Sequence, residues 1–186
     1  MKQILETERL IVRELGEQDA QAFHAFNSHP EVMRFTGETP SASVDEARRR
    51  LREYPDYARY GFGRWGVVYK PDDRVIGFNG LKFLDDLDEV DLGYRFLPEY
   101  WGRGIATESS LAIVRYGFET LGLERIIALV LPDNAGSIRV LEKVGMRFER
   151  MIEYCGESAQ RWAIESSRTR ATREDAQAGR HVARGS

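Results

Sequence analysis

The sequence predicts a single α/β domain built on a mixed, mostly antiparallel sheet flanked by helices. Its 186 residues suit one domain with a substantial core. Three successive strand-like runs, 64–69, 74–83 and 89–96, are separated only by the turns Pro71-Asp72-Asp73 and Asp85-Asp86-Leu87-Asp88, as in an antiparallel meander. Helical and strand-like stretches then alternate to residue 165, without an internal repeat or a linker to a second domain.

In chain order, 9–15 is an opening strand, and 17–27 is a helix with Ala20, Phe23 and Phe26 at helical spacing. A charged helix over 44–54 carries Arg48, Arg49, Arg50 and Arg52, read as a solvated face. After the meander, a helix runs over 104–121, with Leu111, Val114, Phe118 and Leu121 in period. A buried strand at 125–131 leads to a short helix at 135–144, which Gly145 is placed to cap. Strands at 147–154 and 160–165 complete the domain, 1–165. Residues 166–186 hold five arginines against two acids and almost no large apolar side chain, so a flexible basic tail is expected there.

The formal net charge of −3 argues against general electrostatic binding of nucleic acid, and no RNA-binding aromatic signature is present. No apolar run is long enough to span a membrane, and the first residues lack the apolar core of a signal peptide; a cytoplasmic location is expected. Cys155 is the single cysteine, so neither an internal disulfide nor a cysteine-based zinc site is expected. His24, His29 and His181 have no helical metal-ligand spacing, and no metal is expected. Tyr54, Tyr57 and Tyr60 recur every three residues, but Pro55 interrupts the helix, which favours a packing role.

The most informative segment runs from Leu92 to Glu108. A strand ends at Phe96, and Gly102 and Gly104 open a helix. Glycines allow close backbone approach, and the first amides of a helix lack internal partners, so the turn suits an anion such as pyrophosphate. Arg103 adds a charge suited to phosphate. The two glycines alone fit a flexible turn equally well. They are neither a dinucleotide fingerprint nor a Walker A loop.

Trp101-Gly102-Arg103-Gly104-Ile105-Ala106-Thr107-Glu108 resembles the acetyl-CoA motif of the GNAT superfamily of N-acyltransferases. Gly104 and Ala106 match the last fixed positions of Gln/Arg-x-x-Gly-x-Gly/Ala, while Trp101 stands where Gln or Arg is usual. That departure is similar to the branch of ribosomal-protein N-terminal (Rim-type) acetyltransferases. Asn134-Ala135-Gly136-Ser137, ending downstream in Gly145-Met146, resembles the superfamily's Asn-x-x-Ser/Ala segment. Glu6-Thr7-Glu8-Arg9-Leu10, with Arg13 following, resembles the branch's first strand.

The resemblance implies a sheet splayed between its fourth and fifth strands, counted from the strand at 9–15, to admit CoA. It implies acetyl-CoA as co-substrate and direct attack of a neutral primary amine on the thioester. The acceptor would be a protein N-terminus; alternatives are a small-molecule amine, an amino acid or an aminoglycoside, and the rival class is a non-catalytic acyl-CoA-binding module. A homodimer is an open expectation. Pyrophosphate would lie at Gly102, Arg103, Gly104, Ile105, Ala106 and Thr107, beside Trp101. Backbone groups of Gly93, Tyr94, Arg95 and Phe96 would hold the pantetheine and polarise the carbonyl, with the Asn134 side chain also in contact. The alternative for Asn134 is a turn or cap.

Glu89, Asp91, Gly93 and Arg95 alternate along one strand and share a face. Asp91 aligns where family members often carry Glu, so it is the expected proton acceptor, through a water, with Glu89 as substitute. Both also fit solvated acids that keep a strand soluble. Many relatives carry a tyrosine at the position of Leu141 that protonates the departing thiolate; Ser137, one turn earlier, is the expected donor here, with a backbone-bonded helix serine as the alternative. Acceptor recognition is expected from residues 31–60 and the last two strands.

Overall fold

The computed structural model describes residues 1–167 and 169. Eight strands form one sheet: β1 (Gln3–Glu6), β2 (Leu10–Arg13), β3 (Arg64–Tyr69), β4 (Arg74–Leu84), β5 (Glu89–Phe96), β6 (Arg125–Val130), β7 (Arg147–Tyr154) and β8 (Glu157–Glu165). The helices are α1 (Ala20–Ser28), α2 (Pro30–Met33), α3 (Val44–Arg52), α4 (Asp56–Tyr60), α5 (Ile105–Glu119) and α6 (Ala135–Val144). The strand order is β1-β2-β3-β4-β5-β6-β8-β7, and every neighbouring pair is antiparallel except β5 and β6. This is the α/β architecture the sequence predicts.

β1 was not anticipated. It is a four-residue edge strand that pairs with β2, too short for alternation to declare it. The expected helix at 17–27 opens with a 3-10 turn at Glu17–Asp19, and β8 begins at Glu157, just after the turn residues Cys155 and Gly156, both at positive φ. The basic tail expected after 165 falls largely on residues 168 and 170–186, outside the described residues. Ser166 itself is buried, and its N–H donates to the Glu124 carbonyl at 2.9 Å.

Alternating side chains divide the two faces of the sheet. On one, Trp65 of β3 meets Tyr116 of α5 edge-on, and Asn79 Nδ2 donates to the Ser109 and Ser110 hydroxyls at 2.8 Å. Tyr94, opposite Asn79 in the β4–β5 register, lies on this face with α6. On the other, Phe26 of α1 packs edge-on against Phe78 of β4. Arg95, opposite Phe78, is on this second face, and so are Gly93 and Asp91. The shared face expected for these residues is therefore the one covered by α1 and α3.

Local chemistry fixes the helix ends. Ser43 caps α3 by accepting from Glu46 N–H at 3.1 Å, while Glu46 reaches back to Ala42 N–H at 2.7 Å. Gly145, at φ 89°, ends α6 in the left-handed conformation that glycine adopts without a Cβ clash. No helix among the described residues is long and apolar enough to cross a membrane.

Candidate active site

β4 and β5 pair continuously from Leu84–Glu89 to Gly77–Phe96. β5 and β6 pair at a single position, Asp91 with Ile127. Beyond it the sheet opens toward the end of β5, between what become the fifth and sixth strands once β1 is counted. This is the splay expected between 89–96 and 125–131.

The glycine turn stands at the open end. After a 3-10 turn at Pro98–Tyr100, the exposed Trp101 folds back and its Nε1 donates to the Phe96 carbonyl at 2.7 Å. Gly102 and Gly104 sit at φ 71° and 77°, conformations that disfavour side chains. Nothing lies within 4 Å of where a Cβ on Gly102 would be, and only Arg9 Nη2, at 3.6 Å, approaches that of Gly104. Gly104 precedes α5 without any side-chain cap, so the amides at the helix start have no capping side chain. Ile105 anchors the turn in the core, with Ala106 and Thr107 half-buried behind it. These features fit a pyrophosphate.

Arg103 is engaged by two rings: its guanidinium lies 5.1 Å from the Tyr69 centroid and 5.3 Å from that of Tyr100, and Nη2 donates to the Tyr69 hydroxyl at 3.1 Å. Arg9, which approaches Gly104, donates to the Arg103 carbonyl at 3.0 Å and pairs with Glu108 at 2.6 Å.

Across the splay, Asn134 Oδ1 accepts from Ser137 N–H at 3.1 Å, so the capping alternative for Asn134 is realised at the start of α6. The Tyr94 hydroxyl donates to the Ser137 carbonyl at 3.4 Å, and burial pushes it up to about 12. Leu141 is buried in the core.

At the fork, Asp91 is buried and bonds to the Arg64 guanidinium and to Leu129 N–H, the latter at 3.3 Å. Burial pushes its carboxyl above the usual range, against the pull of Arg64. Glu89, two residues back, is held by Arg125 at 3.3 Å and by Arg161, in a network that includes Glu149 and Glu165. On the same face as Asp91, a cavity of about 180 Å³ lies between α1, α3 and the sheet. Phe23, Asn27, Glu38, Arg64, Phe78 and Arg95 are among its walls.

An acetyltransferase (GNAT) domain profile matches residues 9–147. The chain belongs to the GNAT acetyltransferase family. The acetyltransferase is 36% identical over 151 residues to the uncharacterized N-acetyltransferase YoaA of Bacillus subtilis, covering 80% of this chain and 85% of that protein. Two solved structures share its fold at lower identity. The ribosomal-protein-S5-alanine acetyltransferase of Vibrio fischeri has TM-score 0.74 and 20% identity, covering 88% of this chain and 96% of that one. The spermidine N-acetyltransferase of Vibrio cholerae, in complex with CoA and spermine, has TM-score 0.71 and 22% identity, covering 87% and 98%.

The structure adds residues to the candidate site that sequence reading missed. Arg64, 27 positions from Asp91, carries no local signal; only the β3–β4–β5 register brings the two together. Arg9 lies in the turn between β1 and β2, and its approach to Gly104 depends on that turn meeting α5 through Glu108. Tyr54 and Tyr57 do pack on each other, centroids 4.8 Å apart, and they also line the cavity.

Proposed function

We propose that this acetyltransferase carries the acetyl group of acetyl-CoA directly to a primary amine, with both substrates bound at once. The observation that carries the reading is the position of Asp91: a buried carboxylate at the fork of the splay, on the same face as the cavity. Acetyl-CoA, when bound, supplies the activated acetyl group. The amides of Gly102 to Thr107 bind its pyrophosphate, and the edge of β5 from Gly93 to Phe96 orients the pantetheine arm and polarises the thioester carbonyl.

Asp91 takes the proton of the incoming amine through a water, its elevated pKa making it a stronger base than an ordinary carboxylate. Glu89 is a weaker candidate because two guanidiniums already hold it. Ser137, at the first turn of α6, passes a proton to the departing thiolate and takes one back from solvent, so that CoA leaves as the free thiol. The acceptor is assigned only as an amine: likeness to one enzyme named for a ribosomal protein and another named for spermidine supports either class, and the Rim-type branch is a proposal on the same footing.

The test is release of free CoA from acetyl-CoA over peptides with free N-termini, polyamines, amino acids and aminoglycosides, with Asp91→Asn as control. Acceptor-dependent release that collapses in Asp91→Asn supports the reading. Tight acetyl-CoA binding without turnover on any amine would favour a binding module instead.

A further inference from the structure

Arg95 enters the cavity from the β5 position one residue beyond Tyr94. Its side chain is 10% exposed, and it is fixed before any ligand arrives. One guanidinium nitrogen donates to Oδ1 of the buried Asn27 at 2.7 Å, and the group lies 5.3 Å from the Phe78 ring centroid. A guanidinium this enclosed requires an anion close by. Among the described residues, its carboxylate partner is Glu38, at 2.6 Å. Glu38 comes from the segment between α2 and α3, outside any helix or strand, and its side chain is 62% exposed.

The two halves of this pair are therefore unequal. Arg95 is built into the wall, whereas Glu38 reaches it from solvent and regains hydration when it leaves. The other arginines of the wall have their own acids, Arg64 holding Asp91 and Arg50 holding Glu46. Arg95 alone depends on an exposed side chain. The remaining wall includes Phe23 and Phe78, surfaces for an apolar group, and Arg64 connects the cavity to Asp91.

We propose that the acceptor amine also carries a carboxylate, which binds Arg95 in the place Glu38 occupies in the structure. This inference rests on the proposed acetyl transfer. A carboxylate on Arg95 makes charge-assisted bonds in a fork that ammonium or amide groups cannot reproduce. Its amine then lies on the face that leads to Asp91, and an apolar side chain meets the phenylalanines. The acceptor class is an amino acid or a similar aminocarboxylate, with Glu38 as an internal competitor.

The experiment compares amino acids with apolar side chains, their α-amides, the matching decarboxylated amines and spermidine, in wild type, Glu38→Gln and Arg95→Gln. Free CoA reports turnover, and calorimetry on CoA-loaded protein reports acceptor binding. The expected result is kcat/KM at least about tenfold higher for the acid than for its amide. Glu38→Gln tightens binding of the acid several-fold and leaves the amide unchanged, and Arg95→Gln erases the difference between them. A preference for spermidine or the amides, or weaker acceptor binding in Glu38→Gln, would overturn the proposal, because Glu38 would then hold a cation. Should Arg95→Gln fold poorly, the sign of the Glu38→Gln effect decides alone. Acid binding that tightens in Glu38→Gln, without turnover on any amine, would overturn acetyl transfer while retaining the ligand class. Absence of both binding and turnover with the acids would overturn the ligand class.

Discussion

The Arg64 guanidinium on β3 reaches across β4 to grip the Asp91 carboxylate on β5, and it passes over Gly93 to do so. On the way Nη1 donates to the Gly80 carbonyl at 2.5 Å and to that of Asp91 at 3.0 Å. A Cβ on Gly93 would stand 2.5 Å from Arg64 Nη2, so the missing side chain is what leaves the guanidinium its path. Arg64 favours the ionised form of Asp91, in opposition to burial. Removing that charge raises the carboxyl further, so less of the proposed base is ionised at a given acidic pH. Arg64→Gln and Gly93→Ala are both expected to move the acid limb of kcat/KM to higher pH. Arg64→Gln should also lower stability by about 3–5 kcal/mol, as when one partner of a buried pair is lost. An unmoved acid limb in a folded Gly93→Ala protein would separate Arg64 from the proton transfer.

Asp91 and Glu89 should respond differently to loss of charge. Asp91→Asn is expected to lower kcat by about 10²–10⁴-fold at unchanged acetyl-CoA affinity. Glu89→Gln removes an acid that joins Arg125 of β6 to Arg161 of β8, so its effect should be on stability, about 1–3 kcal/mol. Turnover and thermal melts of both variants check this. Full activity in Asp91→Asn would send the proton by another route.

The sequence disclosed what is local and kept back what depends on strand register. The meander, α5, α6 and the glycine turn all announce themselves within their own segments, through alternation, helical period or paired glycines. So did the shared face of Asp91, Gly93 and Arg95, because a strand fixes it. What covers that face did not follow: Arg64 arrives from β3, and Asn27 and Glu38 from the α1–α3 region. Each is an ordinary polar residue in its own neighbourhood. The cavity exists only because α1 and α3 lie against a sheet whose order is not written in any one segment. Asn134 shows the reverse: its cap was legible as an alternative, because capping is local.

The cofactor turn can be tested apart from backbone strain. Gly104→Val adds both a clash in the proposed phosphate site and the cost of a left-handed side chain, about 1–2 kcal/mol. Gly122→Ala is the control, since Gly122 has φ 70° and open space around its Cβ position but lies beyond α5. Calorimetry should find acetyl-CoA binding at least about tenfold weaker in Gly104→Val and unchanged in Gly122→Ala. Equal affinities in folded proteins would remove the turn from the cofactor site.

Glu108 links the first strands to the turn, and its contribution should fade in acid. Burial alone would raise its carboxyl, but bonds from the Thr7 hydroxyl, the Arg9 side chain and Arg9 N–H outweigh it and hold the carboxyl below the ordinary 4.5. A lowered folded-state pKa gives stability that is present above the unfolded value and lost as pH falls through the folded one. Glu108→Gln should therefore melt below wild type near neutral pH, with the gap closing in acid, below about 4.5. A gap independent of pH would mean that shape rather than charge joins the turn between β1 and β2 to α5.

The departing thiolate has two candidate donors near the start of α6, and they can be told apart. Ser137 lies in the first turn of α6, with its N–H tied to Asn134, which fixes the backbone that carries the hydroxyl. The Tyr94 hydroxyl reaches the same turn from β5, bonded to the Ser137 carbonyl at 3.4 Å. Leu141 donates nothing. Burial raises the Tyr94 hydroxyl to about 12, so it stays protonated at neutral pH but gives up its proton reluctantly. The Ser137 hydroxyl is a still weaker acid, so its proposed role rests on position rather than acidity. Ser137→Ala is expected to lower kcat with unchanged acetyl-CoA affinity, whereas Tyr94→Phe, which removes only the bond to the Ser137 carbonyl, should reduce stability by about 1 kcal/mol and leave kcat near wild type. The opposite pattern, a loss of kcat in Tyr94→Phe alone, would assign the proton to the tyrosine. If neither variant changes kcat, water protonates the thiolate, which near neutral pH is a good enough leaving group to need no other donor.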